Sequence, residues 1–154
     1  MNFAGRFLAA ASFAALAATA ASTSPALAEY PGAHPFYLHA LGDLRYAHAL
    51  IDRPDYRPGV DGQEDAALDD IARAYHDIKD AGIDDGKDIN DHFVDPGLDH
   101  KGRLRRALEA LRKAHFDVTR EEQNPLADHV RALATRDIDG AAQHVRVAIH
   151  DNHI

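Results

Sequence analysis

Slid over itself by 67 residues, this 154-residue chain matches itself without a gap. Leu41, Leu44, Arg45, Ala47, His48 and Ile51 fall on Leu108, Leu111, Arg112, Ala114, His115 and Val118. Farther along, Asp70, Ile71, Ala74, Ile78, Ala81 and Asp84 fall on Asp137, Ile138, Ala141, Val145, Ala148 and Asp151. Two alanine-rich helices align somewhere by chance. A register kept across an intervening loop and through His, Arg and Asp is poorly explained that way, so the chain reads as two copies of one unit.

Each copy reads as a helical hairpin, about 34–84 and about 101–153. Tyr37, Leu41, Leu44, His48 and Ile51 step by four and three, the seam of an amphipathic helix. Leu68, Ile71, Tyr75 and Ile78 repeat those steps after a breaker cluster at Pro54, Pro58, Gly59 and Gly62. In the second copy Leu104, Leu108, Leu111, His115 and Val118 form the seam, and Asn124 followed by Pro125 supplies a cap and first-turn proline for the last helix. No strand-like alternation competes. The expected fold is all-α, an up-down-up-down four-helix bundle built from duplicated hairpins.

Residues 1–28 are expected to be a secretory signal. One Arg at position 6 precedes an apolar run from Phe7 to Ala21, and Ala26-Leu27-Ala28 forms a small-x-small cleavage site. The run is interrupted by Ser12 and Thr19 and is shorter than the roughly 20 residues of a membrane anchor. The mature domain, 29–154, is then periplasmic or secreted, with no later segment able to span a bilayer. The signal removes one of 17 Lys and Arg and none of 25 Asp and Glu, leaving a net charge of −9. That charge argues against nucleic acid and anionic membranes as partners. It leaves a homodimer or another periplasmic protein as the expected macromolecular partner. With no Cys, disulfides, thiolate metal sites and thiol catalysis are excluded.

In an up-down-up-down bundle, antiparallel neighbours of equal height place Arg45 opposite Asp70 and Arg112 opposite Asp137. The same register puts Leu44, Ile71, Leu111 and Ile138 in one core layer, and His48 and His115 facing each other in the next. An imidazole buried without partners costs roughly 1–3 kcal/mol, so the plain reading gives each one a carboxylate or carbonyl, with Asp52 within reach of His48.

The functional reading is a transition-metal site (zinc, copper, nickel or iron) held by His48, His115, Glu64 and His129 in the bundle core. Arg131 opposes it as a competing partner for Glu64. Haem b between His48 and His115, entering past Ala47, Ala67, Ala114 and Ala134, is a lesser alternative. A Met axial ligand is excluded because the only methionine is Met1. A ferritin-like di-iron centre is disfavoured because the Glu-x-x-His spacing is absent.

Asp84, Asp85, Asp88, Asp91 and Asp95 crowd the central link but lack the ligand spacing of an EF-hand loop, so they read as a solvated acidic loop. His150 and His153, one turn apart, read as a frayed terminus rather than a metal clip. The mature chain has no Ser, which excludes a serine hydrolase. An enzyme using His48 or His115 as a base beside Glu64 has the least support.

A second functional class needs no cofactor. All 11 His lie beyond residue 28, so their protonation takes the net charge from −9 to about +2, mostly between pH 7 and 5. Such a chain could serve as an acid- or stress-responsive interaction protein.

Overall fold

The computed structural model describes residues 34–53, 62–81, 83–92, 97–120 and 125–151. The signal at 1–28, the breaker segment 54–61, Asp95, Asn124 and His153 lie outside the described residues. Among the described residues there are four α-helices and no strands: α1 (Pro35–Ile51), α2 (Gly62–Asp80), α3 (His100–Arg120) and α4 (Pro125–Asp151).

Local chemistry marks the helix ends. Pro35 and Pro125 open α1 and α4, where a missing N–H costs nothing. Glu64 and Asp65 place negative charge in the first turn of α2. Asp99 caps α3: its carboxylate accepts the Gly102 N–H at 2.7 Å and its carbonyl accepts the Arg103 N–H at 2.9 Å. The expected seam leucines and isoleucines are buried, Leu44, Ile71, Leu111 and Ile138 completely. Between them small residues such as Ala40, Ala67, Ala114 and Ala141 let the helices approach closely.

The path of the chain differs from up-down-up-down. Arg103, in the first turn of α3, donates from Nε to the Leu50 carbonyl near the end of α1 at 3.3 Å. At the other end, the Arg120 guanidinium lies 5.3 Å from the Phe36 ring centre, so the last residue of α3 meets the start of α1. The helices α1 and α3 are therefore antiparallel neighbours, not parallel diagonals.

Likewise α2 packs antiparallel on α4, with Gln63 bonded to His144 at 2.7 Å and Arg73 4.0 Å from Asp137. The closest pairings are α2 with α4 and α1 with α3, followed by α3 with α4; α1 meets α2 least. The bundle runs up-down-down-up, with α2 and α3 parallel across the diagonal. The segment 81–99 is the crossover that returns the chain along the bundle.

This path dissolves both expected charge pairs. Arg45 pairs with Asp85 of the crossover at 2.7 Å. Asp70 is bonded to Arg73 and lies 3.7 Å from His144, while Asp137 pairs with Arg136 at 2.9 Å and Arg112 is exposed. The reason is that α2 faces α4, not α1, across its charged edge.

The Asp70 carboxylate fills the space beside Gly140 on α4. A Cβ built there would stand 2.5 Å from Asp70 Oδ2. Gly140→Ala is expected to lower stability by about 1–2 kcal/mol, although an open helical site would gain up to about 1 kcal/mol from the change. In an Asp70→Ala background the sign should reverse, as urea unfolding of the four variants would show.

Candidate functional site at the crossover

The four expected metal ligands do not converge. Phe36 against Arg120 and Leu50 against Arg103 bracket a crossing near Leu44 and Leu111. His48 lies one turn to one side of it and His115 one turn to the other, about 12 Å apart along the bundle at 1.5 Å per residue. His115 instead bonds Asp139 of α4 through Nδ1 at 2.9 Å. Glu64 is 2% exposed at the start of α2, bonded to His100 Nε2 at 2.8 Å. His129 is exposed at the start of α4, the opposite end of the bundle.

Arg131, the expected competitor for Glu64, pairs with Asp128 at 2.5 Å. Among the described residues no group of three or more His, Asp or Glu is placed to hold a metal ion. The antiparallel α1–α3 pair also turns His48 and His115 away from the shared height that two axial haem ligands need.

The chemistry gathers elsewhere, where the crossover lies against α1 and α2. Its acidic residues first organise the link itself. Asp84 Oδ1 accepts the Gly86 N–H at 2.8 Å, Asp85 Oδ1 the Lys87 N–H at 3.2 Å, and Asp88 Oδ1 the Asn90 N–H at 3.0 Å. These are Asx turns, with Gly86 at φ 73° where a side chain would be strained. The bonds from Gly86 and Asn90 hold the Asp84 and Asp88 carboxyls below their usual range.

The link is then tied down at several points. Tyr75 of α2 donates its hydroxyl to the Lys87 carbonyl at 2.6 Å, joined by Lys79 Nζ at 3.0 Å. Lys79 also pairs with Asp84 at 3.0 Å. On the α1 side Asp85 meets Arg45, whose side chain is only 6% exposed. The His92 ring stands edge-on to Tyr46, 4.8 Å between centres, and Ile83 of the link is itself buried.

Two imidazoles sit at this junction. Burial lowers the pKa of His48, against the opposing pull of Asp52 and of Asp88 on the link. Burial also lowers that of His92, helped by the positive charges of Arg45 and Lys87 and opposed by Asp91. Both therefore favour the neutral ring in the folded chain. The Asp43 carboxyl of α1 is pushed up by burial, opposed by Lys113, with Asp117 of α3 adding to the rise and His39 against it.

Of these residues, sequence reasoning singled out His48, Arg45 and the link aspartates, each for another purpose. It missed His92, Tyr46 and Lys87, and His100 as the partner of Glu64. None of these four is part of the repeated pattern, so the self-comparison carried no signal for them. No known protein family, curated protein or solved structure matches the chain. Its chemistry is therefore read from its own geometry.

Proposed function

We propose that this chain is an exported, cofactor-free helical bundle whose crossover link loosens in acid, an acid-responsive interaction protein. The observation that carries the reading is the pair His48 and His92, held neutral on the two sides of the α1–crossover junction. Protonating His92 adds a third positive charge beside Arg45 and Lys87, and protonating His48 requires hydrating a half-buried cation. Export rests on the sequence pattern at 1–28. No helix among the described residues is long and apolar enough to cross a membrane. The self-match at 67 residues is supported by the pairing of each helix with its counterpart, α1 with α3 and α2 with α4, which is how two copies of one hairpin would join about a two-fold axis.

The sign of the pH effect follows from linkage. Both imidazoles titrate below their ordinary value of 6.5 in the folded chain, so the unfolded chain binds more protons as pH falls through that value. Stability contributed by the neutral rings is whole above pH 6.5 and is lost as pH drops toward their lowered folded values. The melting temperature should therefore fall by a few degrees between about pH 7.5 and pH 5, and His48→Gln with His92→Gln should remove about half of that fall.

Hydrogen exchange tests the location. Corrected for intrinsic rates, amides of 83–92 should lose protection at about pH 5 while those of α3 keep theirs. Equal protection of 83–92 at both pH values would sink the proposal.

A further inference from the structure

Hairpin one, α1 with α2, meets hairpin two, α3 with α4, far more extensively than α1 meets α2. Contacts between the hairpins run the length of the pair. Arg120 lies on Phe36 and Arg103 on the Leu50 carbonyl for α1, and Glu64 meets His100, Gln63 meets His144 and Asp70 lies beside Gly140 for α2. Hairpin one, parted from hairpin two, therefore exposes a surface whose complement is the α3–α4 face, its own or that of a second copy.

The length of free chain between α2 and α3 selects between those two. Residues 83–92 are docked on their own hairpin one, through Asp85 to Arg45, the Lys87 carbonyl to Tyr75 and Lys79, and His92 against Tyr46. While they stay docked, the seven residues 93–99 are left to span outward, about 25 Å fully extended. That is shorter than the roughly 30 Å of one long helix of the bundle, so α3 returns to its own α1. Undocked, the nineteen residues of 81–99 reach up to about 60 Å, past the end of the bundle.

We propose that the partner of this protein is a second copy of itself, and that the two exchange hairpins: α3–α4 of each chain seats on α1–α2 of the other once the link is released. The inference rests on the acid loosening proposed above. The imidazoles charged at the link are His48, facing Asp52 and Asp88, and His92, facing Arg45, Lys87, Asp91 and the Tyr46 ring. Between the hairpins the imidazoles face acceptors instead: His100 the Glu64 carboxylate at 2.8 Å, and His144 Gln63 at 2.7 Å with Asp70 at 3.7 Å. Acid thus frees the tether, while a proton on either of these rings meets a carboxylate. The surfaces that join in the dimer are those already joined in the single chain.

A disulfide reads the exchange directly. A Cβ at position 140 would stand 3.2 Å from Asp70 Cγ, so Asp70→Cys with Gly140→Cys can bond α2 of hairpin one to α4 of hairpin two. The chain has no Cys of its own, so no other pair competes. Isotope-labelled and unlabelled chains of this variant are mixed at about 1 mM, near the effective concentration of a tethered partner, and held reduced at about pH 5. They are then returned to about pH 7.5, diluted and oxidised. The disulfide should link labelled to unlabelled chains at least about tenfold more often than in chains kept at about pH 7.5 throughout, where it closes within one chain. The unsubstituted chain, treated alike, should elute from gel filtration as a dimer. If the disulfide stays within single chains, or the unsubstituted chain stays monomeric, while 83–92 loses protection at about pH 5, the exchange is overturned and the loosening stands. Equal protection of 83–92 at both pH values overturns the loosening, and the exchange with it.

Discussion

Asp85→Ala should destabilise the fold by about 2–4 kcal/mol, one of the largest effects of any polar substitution in the chain. Arg45 is almost completely enclosed, and among the described residues the Asp85 carboxylate at 2.7 Å is the charge that compensates it. Removing that carboxylate leaves a desolvated cation, whereas removing both charges does not. A second substitution therefore decides the cause. Arg45→Met alone, and Arg45→Met combined with Asp85→Ala, should both lie well above Asp85→Ala in stability, because an apolar side chain of similar length tolerates burial. If Asp85→Ala and the double variant unfold at the same urea concentration, the link is held by its backbone contacts to Tyr75 and Lys79 and the ion pair contributes little.

Leu111→Ala should cost about 2–5 kcal/mol. Leu111 is fully buried at the crossing of α3 with α1, near Leu44, which is equally buried. The two truncations should not be additive: with both made, the double variant should depart from the sum of the singles by about 0.5 kcal/mol or more, as contacting residues do. Strict additivity in chemical unfolding would show that the two leucines do not share a contact and would place the crossing of α1 and α3 elsewhere.

The four helices were legible because breaker residues and steps of three and four are local properties. Pro125, the breakers Pro54, Pro58, Gly59 and Gly62, and the Leu41–Leu44–Ile51 seam each needed nothing from the rest of the chain. The order in which helices pack is not local, and there the reading failed. Placing Arg45 opposite Asp70 assumed that consecutive helices are main neighbours. Yet α1 carries apolar or small residues on a broad face, from Tyr37 and Leu41 round to Ala40 and Ala47, and such a face suits either neighbour.

A usable clue was present in the connections. Four residues, 121–124, separate α3 from α4, whereas nineteen, 81–99, separate α2 from α3. A connection of nineteen residues reaches up to about 60 Å extended, ample to travel a helix of roughly 30 Å and still fold into turns. The site suffered from the same mistake, because His48 and His115 share a height only in the parallel arrangement. The layer of Leu44, Ile71, Leu111 and Ile138 remained buried because it lies near the centre of the repeat, where reversing one copy changes least.

The weak contact between α1 and α2, against the extensive pairings of α1 with α3 and α2 with α4, also sets a pace for the chain. The two most extensive pairings join residues far apart in sequence, so closing the first hairpin, α1 with α2, gains little stability. Loop-closure entropy must be spent on the long crossover before the core rewards it. Folding should accordingly be slower than for a bundle of the same helices paired in chain order. The crossover that Arg45, Tyr75 and Lys79 tie down thus also governs how quickly the chain becomes native.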